Sequence, residues 1–270
     1  MAMDFRALFA AERAAQHAAH SAASAAAASP PAAAPAPPPP PLLPVAPGLS
    51  YCNAFLNPAE AAALTMAIDA IPTSQWAPLT KRRLLNLGGV PHPSGSWAEP
   101  LPSSLCALVR PRLAALGVSF DQILLNEYLS GAGIGGHKDG PCFAPRAAIV
   151  SLGGDALLHF SKAGPEGPPC ASVLVRANSL VVFEGEAYTG LFHYIEDTAV
   201  EEVPATCVNA GAARAEAGAR VRRPQRRLSL TLRSLARVER TFGEFEAVPP
   251  DVEEERRRRT QWWLQSISEK

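Results

Sequence analysis

The sequence predicts an α+β fold in which an antiparallel β-sandwich or barrel carries helices on its outer surface. Two observations lead to this fold class. Short β-rich segments dominate the second half of the chain, with Gly, Pro and Asn between them, as is typical of antiparallel sheets. Two helical segments precede them, so helices are expected first and strands after. The expected strands are QILLNEYL, AAIVSL, ALLHF, SVLVR, SLVVF, LFHY and RRLSLTLR.

The first helix is predicted from Asn57 to Ile71. Asn57 can cap the N-terminus, and Pro58 suits the first helical position. Glu60 follows the cap at the spacing at which its carboxylate can bond back to the cap backbone. A second helix is predicted over residues 102–116.

Two segments carry no predicted core. Residues 1–48 are rich in Ala and Pro and bury too little side chain to offset their ordering entropy, so they are expected to be disordered. An organelle transit peptide is the alternative for this segment. Residues 198–224 show no strand pattern and are too long for a hairpin loop, so a mobile insertion is expected there.

The remaining boundaries follow from these segments. A core domain is expected over residues 49–236, followed by a C-terminal tail over 237–270. The tail contains a helix that Asp251 can cap, with acidic residues first and basic residues after, as suits the helix dipole. Trp262 and Trp263 are expected to dock this helix or a partner.

Charge and cysteine content limit the classes of protein. The chain has 25 basic and 25 acidic residues, so no global field attracts it to nucleic acid or membrane, although local patches can. The 5 cysteines form no C-x-x-C pair and are odd in number, which is typical of free thiols in a reducing compartment. No apolar run approaches the roughly 20 residues that span a bilayer. We expect a monomer without membrane contact, in the nucleus and cytoplasm.

The most compact pair of metal-ligand residues is His137 and Asp139, which follow the loop GAGIGG. At the end of a strand, residues two apart project to the same side, so both side chains can reach one metal ion. An isolated H-x-D is more often an ordinary surface loop. His193, on a predicted strand downstream, can complete two histidines and one carboxylate, the facial triad of non-haem iron(II) oxygenases. The G-x-G-x-x-G match in the loop is not followed by a helix, so it does not indicate a dinucleotide site.

The strand RRLSLTLR supplies a cation for such a site. A bidentate 2-oxo acid would fill two open metal positions, and its distal carboxylate would then need a fixed cation, for which a guanidinium fork is the best partner. The same period of two directs Asn126 and Tyr128 to one side of an earlier strand. Alternatively, the arginines face solvent and the polar residues bond neighbouring backbone. The polar face of RRLSLTLR carries Arg227, Ser229, Thr231 and Arg233, opposite its leucines.

These motifs resemble those of the AlkB family of iron(II)- and 2-oxoglutarate-dependent dioxygenases. The family pattern is N-x-Y, H-x-D eleven residues after the Asn, a distal His, and R-x-x-x-x-x-R; this chain reads NEY, HKD, FHY and RLSLTLR. The resemblance covers about Tyr51 to Ser234 and is greatest to the sixth eukaryotic AlkB homologue branch. It implies a double-stranded β-helix (jelly roll) with the N-terminal helices packed outside the barrel.

The resemblance also implies a ligand set. His137, Asp139 and His193 would be the catalytic iron(II) ligands, with 2-oxoglutarate and O2 as cosubstrates. Arg227 would bind the distal carboxylate of 2-oxoglutarate together with Tyr128. The other residues expected at the cosubstrate, or at the adjoining substrate pocket, are Asn126, Ser229 and Arg233.

The implied activity is oxidative demethylation of a methylated nucleic acid, DNA or RNA, or of a protein. Pro141 stands where DNA-repair members often carry an acidic residue, and Ser229 stands where the bacterial member has Asn, which leaves the substrate open. A protein-directed hydroxylase or demethylase, and a binding module with little turnover, are the alternatives. His159 is expected in the core or at its rim, and His92 in a turn. Substrate contacts are expected from Trp76, Lys81, Arg82 and Arg83, although runs of charge are more often solvated faces.

Overall fold

Two antiparallel sheets face one another across an apolar core, which is the jelly-roll arrangement that the sequence predicted. The computed structural model describes residues 38–164, 167–243 and 248–268. The strands are β1 (Leu43–Ala46), β2 (Leu49–Cys52), β3 (Ala77–Pro78), β4 (Arg82–Leu87), β5 (Gly89–Val90), β6 (Ser96–Ala98), β7 (Gln122–Leu129), β8 (Ile134–His137), β9 (Phe143–Leu152), β10 (Ala156–Ser161), β11 (Ala171–Val175), β12 (Leu180–Glu184), β13 (Phe192–Ile195), β14 (Val200–Glu202), β15 (Arg220–Arg222), β16 (Arg226–Leu235) and β17 (Val238–Thr241). The helices are α1 (Pro58–Asp69), α2 (Ser103–Ala115), α3 (Glu186–Thr189) and α4 (Pro250–Ser268), and a 3-10 helix covers Thr73–Gln75.

The larger sheet has eight strands in the order β1-β2-β12-β9-β16-β7-β4-β3, and the smaller has four in the order β11-β10-β13-β8. All the pairings within both sheets are antiparallel. Each of the seven predicted strands is present, and QILLNEYL coincides with β7. Strands β17, β6 and β5 form a separate small sheet.

The expectation that helices come first and strands after is wrong. Strands β1 and β2 precede α1, and strands β3 to β6 lie between α1 and α2. Four of these six strands belong to the larger sheet: β1 and β2 lie at one edge, where β2 pairs with β12, and β3 and β4 lie at the other, where β4 pairs with β7. Sequence patterns could not show this, since short strands take their hydrogen bonds from partners distant in the chain. The predicted disordered segment 1–48 is also too long at its C-terminal end, because β1 pairs with β2. Residues 1–37 of that segment lie outside the described residues.

Helix α1 begins as predicted. The Asn57 side chain accepts a hydrogen bond from the Glu60 backbone N–H at 2.9 Å, and the Glu60 carboxylate accepts one from the Asn57 N–H at 2.8 Å. This reciprocal capping satisfies two backbone donors at the helix start. The same Glu60 carboxylate accepts from Arg112 of α2 at 2.9 Å, which ties the two helices together.

The helices cover the outer face of the larger sheet. Apolar side chains of α1 and α2, such as Leu64 and Val109, form a second buried cluster with leucines of β7 and β16, such as Leu125 and Leu230. The leucine face of RRLSLTLR is therefore core, as predicted. Because side chains alternate along a strand, the polar face of β16 points to the opposite side, toward the space between the sheets.

The expectation that residues 198–224 contain no strand is wrong. Strands β14 and β15 pair within this segment, with Glu201 opposite Val221. The buried carboxylate of Glu201 accepts from Arg223 at 2.5 Å and from the backbone N–H of Leu157 in β10 at 3.2 Å. The pattern was hidden because β14 and β15 are only three residues each. The mobility of the segment stays a prediction.

The same segment covers the edge of the smaller sheet at β11. The Ser172 N–H donates to the Thr206 carbonyl at 2.9 Å, and the Val208 N–H donates to the Ser172 carbonyl at 2.9 Å. The buried side chain of Asn209 completes the edge: it accepts from the Leu174 N–H at 2.8 Å and donates to the Leu174 carbonyl at 2.9 Å. One side-chain amide thus replaces a peptide group of a neighbouring strand.

Helix α4 closes the described chain. It begins at Pro250, so Asp251 lies in its first turn and is not the predicted cap. Trp263 is buried, which agrees with its expected docking role, while Trp262 stays partly exposed against His92. The guanidinium of Arg259 lies 4.6 Å from the centroid of the Trp97 ring. The five cysteines all lie in the described residues, and no disulfide joins them there. Within the described residues, no helix has the length and apolar character needed to cross a membrane.

Candidate metal and cosubstrate site

Two histidines face each other on paired strands of the smaller sheet. His137 is the last residue of β8, and His193 stands directly opposite it on β13. Their ring centroids are 4.3 Å apart. Aromatic rings of Phe160 and Phe183 lie against the other side of His193, with ring centroids 6.2 and 5.0 Å from it. The sheet register therefore fixes both imidazoles at one place between the sheets.

A hydrogen bond to the backbone fixes the tautomer of His137. Its Nδ1 lies 2.8 Å from the carbonyl oxygen of Gly135. A carbonyl can only accept, so Nδ1 carries the proton and Nε2 keeps its lone pair. This tautomer is the one that metal-binding histidines adopt when a backbone carbonyl orients them.

Asp139 follows two residues after His137 and brings a carboxylate to the same place. The ligand atoms of His137, Asp139 and His193 all lie within 4.8 Å of one another, so a single ion can reach all three. Two histidines and one carboxylate form the donor set that iron(II) oxygenases use, with coordination positions left for other ligands. The donors present therefore fit an iron(II) ion.

The glycine-rich loop before these ligands is built for close approach. A Cβ added at Gly133 would lie 2.1 Å from the carbonyl oxygen of Ile195, so only glycine fits against β13 there. The Gly133 N–H donates to the carboxylate of Asp197 at 2.8 Å. These contacts hold β8 against β13 and so keep the two histidines in register.

Arg227 places a buried cation in the same cavity. Its side chain is 3% exposed, and its Nε donates to the Ser151 hydroxyl at 3.0 Å. Its Nη1 is buried and has no hydrogen-bond partner among the described residues. Burial lowers the pKa of Arg227 to about 10, so the guanidinium is still charged at neutral pH. A buried cation with an unused donor fits an anionic ligand such as a carboxylate.

The cavity between the sheets joins the three candidate ligands to Arg227 and encloses about 490 Å³ of atom-free space, mouth included. Asn126 and Tyr128 of β7 line it with Ser229 and Thr231 of β16, as the alternation predicted. The Oδ1 atom of Asn126 is buried and has no hydrogen-bond partner in the described part of the chain. The apolar lining consists of Leu124, Ile134, Ile149, Leu158, Val175 and Ile195.

Arg233 lies apart from Arg227, against a candidate ligand. Its Nη1 donates to Asp139 at 2.7 Å, and both side chains are almost completely buried. Its guanidinium carbon lies 3.9 Å from the centroid of the Phe143 ring. The Nη2 atom is buried without a hydrogen-bond partner among the described residues. The structure thus places Arg233 against the carboxylate of the candidate ligand Asp139.

The four residues predicted to contact substrate do not lie together. Arg82 pairs in register with Tyr128, on the cavity face of the larger sheet, and Lys81 forms an exposed ion pair with Asp197. The structure does not bring Arg83 and Trp76 to the cavity, because both lie on the helix-covered face of the sheet. Trp76 is buried there, with the Arg83 guanidinium 4.6 Å from its ring centroid. The prediction grouped these basic residues as one charged cluster, but Arg82 and Arg83 are successive residues of β4 and therefore point to opposite faces of the sheet.

The remaining histidines lie elsewhere. His159 is buried in β10, with its Nδ1 2.9 Å from the Ser172 hydroxyl, in agreement with its expected core position. His92 begins the turn that precedes β6, where the Gly95 N–H donates to its carbonyl at 3.1 Å. Neither belongs to the candidate site.

Sequence reasoning missed two residues that contact the site arginines. Ser151 accepts from Arg227, and Gln122 accepts from the Nε of Arg233 at 3.0 Å. Gln122 carried a signal, because it shares the cavity face of β7 with Asn126 and Tyr128 by the period of two. Ser151 carried a weaker one, as a polar residue at the end of the apolar run AAIVSL.

Comparison with known proteins agrees with this geometry. The model of the 2OG-Fe(II) oxygenase superfamily matches residues 49–233. The chain belongs to this superfamily. Iron(II), 2-oxoglutarate and O2 are accordingly its cofactor and cosubstrates, and it is an oxidoreductase.

Similarity to individual proteins indicates the type of oxygenase within this superfamily. The chain is 31% identical over 206 residues to "Probable RNA/DNA demethylase ALKBH6" of Danio rerio, across 71% of this chain and 87% of that protein. It is 24% identical over 222 residues to "Alkylated DNA repair protein ALKBH8 homolog" of Arabidopsis thaliana, across 70% of this chain and 58% of that protein. The solved structure of OsALKBH1 matches the fold with a TM-score of 0.50 at 17% identity, across 72% of this chain and 100% of that one. The oxygenase is thus of the AlkB type, as its motifs predicted.

Proposed function

We propose that this AlkB-type oxygenase removes N-methyl groups from a nucleic acid. The observation that carries the proposal is the joint placement, in one cavity, of a two-histidine and one-carboxylate cluster and a buried arginine with an unused donor. A similar protein, of which this chain spans most of the length, bears the name of an RNA/DNA demethylase, which supports the substrate class.

In the proposed site, His137, Asp139 and His193 hold iron(II). When bound, iron(II) and 2-oxoglutarate supply the oxidising chemistry: O2 converts 2-oxoglutarate to succinate and CO2 and hydroxylates a methyl C–H bond. The resulting N-hydroxymethyl group then releases formaldehyde and leaves the demethylated base. Asp139 contributes the negative charge of the ligand set, and Arg233 holds that carboxylate in place.

The chain's own residues would bind and orient the cosubstrate. Arg227 offers Nη1 to the distal carboxylate of 2-oxoglutarate, and the charge makes this bond stronger than a neutral one. Asn126 and Tyr128 lie on the adjacent strand and line the same cavity. The apolar wall excludes water from the anion and so strengthens its attraction to the guanidinium.

The cavity edge suits an anionic substrate. Arg82 stands beside Tyr128, and its buried Nε has no hydrogen-bond partner among the described residues. Lys81 precedes it at the surface. A phosphate of a nucleic acid would satisfy the unused donor of Arg82, whereas Lys81 is already paired with Asp197, and the chain as a whole has no net charge.

A substrate screen tests the proposal. The protein, iron(II), 2-oxoglutarate and ascorbate are incubated with N-methylated DNA, N-methylated RNA or methyl-lysine peptides, and succinate and formaldehyde are measured together. We expect stoichiometric formaldehyde and succinate with a nucleic acid, and neither product with the His193→Ala variant. Product from the peptides alone would contradict the proposed substrate class. Absence of succinate under all conditions would contradict the catalytic site.

A further inference from the structure

A fully buried glutamine begins β7. Gln122 has no exposed surface, because it lies at the start of a strand that is mostly buried. It is a polar residue in a core position. A buried primary amide costs free energy unless both its oxygen and its nitrogen are hydrogen-bonded. Both ends of Gln122 are bonded: its oxygen accepts from the Nε of Arg233 at 3.0 Å, and its nitrogen donates to the Asn86 oxygen at 2.5 Å.

These bonds belong to a continuous series of hydrogen bonds that ends on the candidate metal ligand Asp139. Asn86 of β4 donates to the carbonyl of Gly89, the first residue of β5. From Gln122 the series continues through Arg233, whose Nη1 donates to Asp139 at 2.7 Å. The series therefore crosses from β4 through β7 to β16 and reaches the carboxylate.

The orientation of Arg233 depends on this arrangement. Three contacts define the plane of its guanidinium: the Nε bond to Gln122, the Nη1 bond to Asp139, and the face of Phe143 at 3.9 Å. The bond from Nε to Gln122 holds the guanidinium at the end opposite to the Nη1 bond with the carboxylate. Without it, the arginine could rotate about its terminal bonds and take Asp139 with it.

We propose that Gln122 is a positioning residue of the metal site, which acts on Asp139 through Arg233 and is itself held by Asn86. The inference rests on the proposed function, since it concerns the same site. Groups that orient metal ligands typically contribute about 10- to 100-fold to metal affinity. An apolar side chain would suffice if Gln122 only filled space, because its neighbour two residues along the same face is Leu124.

Manganese(II) binding to the full-length protein tests this role without turnover. Calorimetry would compare the wild type with Gln122→Leu, which removes both bonds, and Gln122→Glu, which keeps an acceptor for Arg233. We expect Gln122→Leu to weaken manganese(II) binding about tenfold and Gln122→Glu to keep wild-type affinity. Ile123→Val is the matched control, because Ile123 is also fully buried but packs on the opposite, helix-covered face. It should lower the melting temperature and leave the affinity unchanged.

A folded Gln122→Leu variant that binds manganese(II) as tightly as the wild type would overturn the inference. If that variant does not fold, Asn86→Leu decides, because Asn86 is only partly buried and its loss frees the outer end of Gln122. We expect about threefold weaker binding, and wild-type affinity in this variant would overturn the inference as well. A wild-type protein that binds no manganese(II) would instead contradict the proposed metal site, and the inference with it.

Discussion

Replacement of Arg227 by methionine should have opposite effects on stability and on cosubstrate binding. A pKa lowered by burial to about 10 means that the folded protein disfavours the charged guanidinium by about 3 kcal/mol. Because the folded-state pKa lies below the unfolded one, this cost is present throughout neutral pH and is relieved only as the pH rises above about 10. Methionine fills similar space without charge, so Arg227→Met should stabilise the ligand-free protein.

The expected sizes follow from these values. Relief of the full cost would raise the melting temperature by up to roughly 10 °C for a domain of this size. Loss of a buried charged partner costs a bound carboxylate about 2–5 kcal/mol, which corresponds to at least about 30-fold weaker 2-oxoglutarate binding. Thermal unfolding followed by circular dichroism measures the first effect. Calorimetry on the manganese(II)-loaded protein measures the second.

Arg83→Met is the matched control, because its guanidinium is paired with both oxygens of Glu127, at 2.8 and 3.0 Å. This variant should lose stability, since it removes one of the two arginines that bond to the Glu127 carboxylate, and it should keep wild-type 2-oxoglutarate affinity. If Arg227→Met loses stability to the same extent as the control, the guanidinium is already compensated in the free protein. The assignment of its unused donor to a carboxylate would then be refuted.

Four further predictions concern other parts of the molecule. His137→Ala should weaken manganese(II) binding by at least about 100-fold in calorimetry, because two ligands hold the ion poorly; unchanged affinity would remove His137 from the site. Burial raises the pKa of Glu127, but bonds from Arg83 and Arg226 outweigh it and hold that pKa below its usual value of 4.5. The stabilisation is thus present above about pH 4.5 and lost as the pH falls through the folded-state pKa, so Glu127→Gln should be less stable than the wild type at pH 7 in urea unfolding. A stability difference that does not shrink as the pH falls below 4.5 would contradict this. Removal of residues 1–37 should leave the melting temperature unchanged while removal of 1–48 lowers it, because the second deletion takes away β1; equal melting temperatures would show that β1 adds no stability. Arg82→Ala should weaken nucleic-acid binding and reduce its salt dependence in fluorescence anisotropy while sparing 2-oxoglutarate affinity, and an unchanged salt dependence would exclude a phosphate contact.

The parts of the site that lie on single strands could be predicted from sequence. The period of two showed that Asn126 and Tyr128 share one face of β7, and that Arg227 lies on the polar face of β16. In the structure all three side chains line the same cavity. The capping of α1 was equally local, because Asn57 and Glu60 are neighbours on the first turn.

Other features depend on contacts between distant segments. That His137 stands directly opposite His193 is a matter of register between β8 and β13, which only the folded sheet determines. The place of Arg83 beneath the helices follows from the pairing of β4 with β7, which a run of basic residues does not reveal. The strands of 198–224 depend likewise on bonds to β10 and β11.

The cover that Asn209 provides at β11 has a consequence for how the protein behaves at high concentration. An open strand edge invites another chain to add a strand, which is a common route to aggregation. At β11, the outward N–H and C=O groups of Ser172 and Leu174 are all engaged by residues 206–209. A strand of a second molecule cannot pair with β11 there unless it displaces residues 206–209 of the first molecule. The two bonds of the Asn209 side chain close this edge at Leu174, and a hydrophobic residue at position 209 would leave the Leu174 N–H and C=O open to a strand of another molecule.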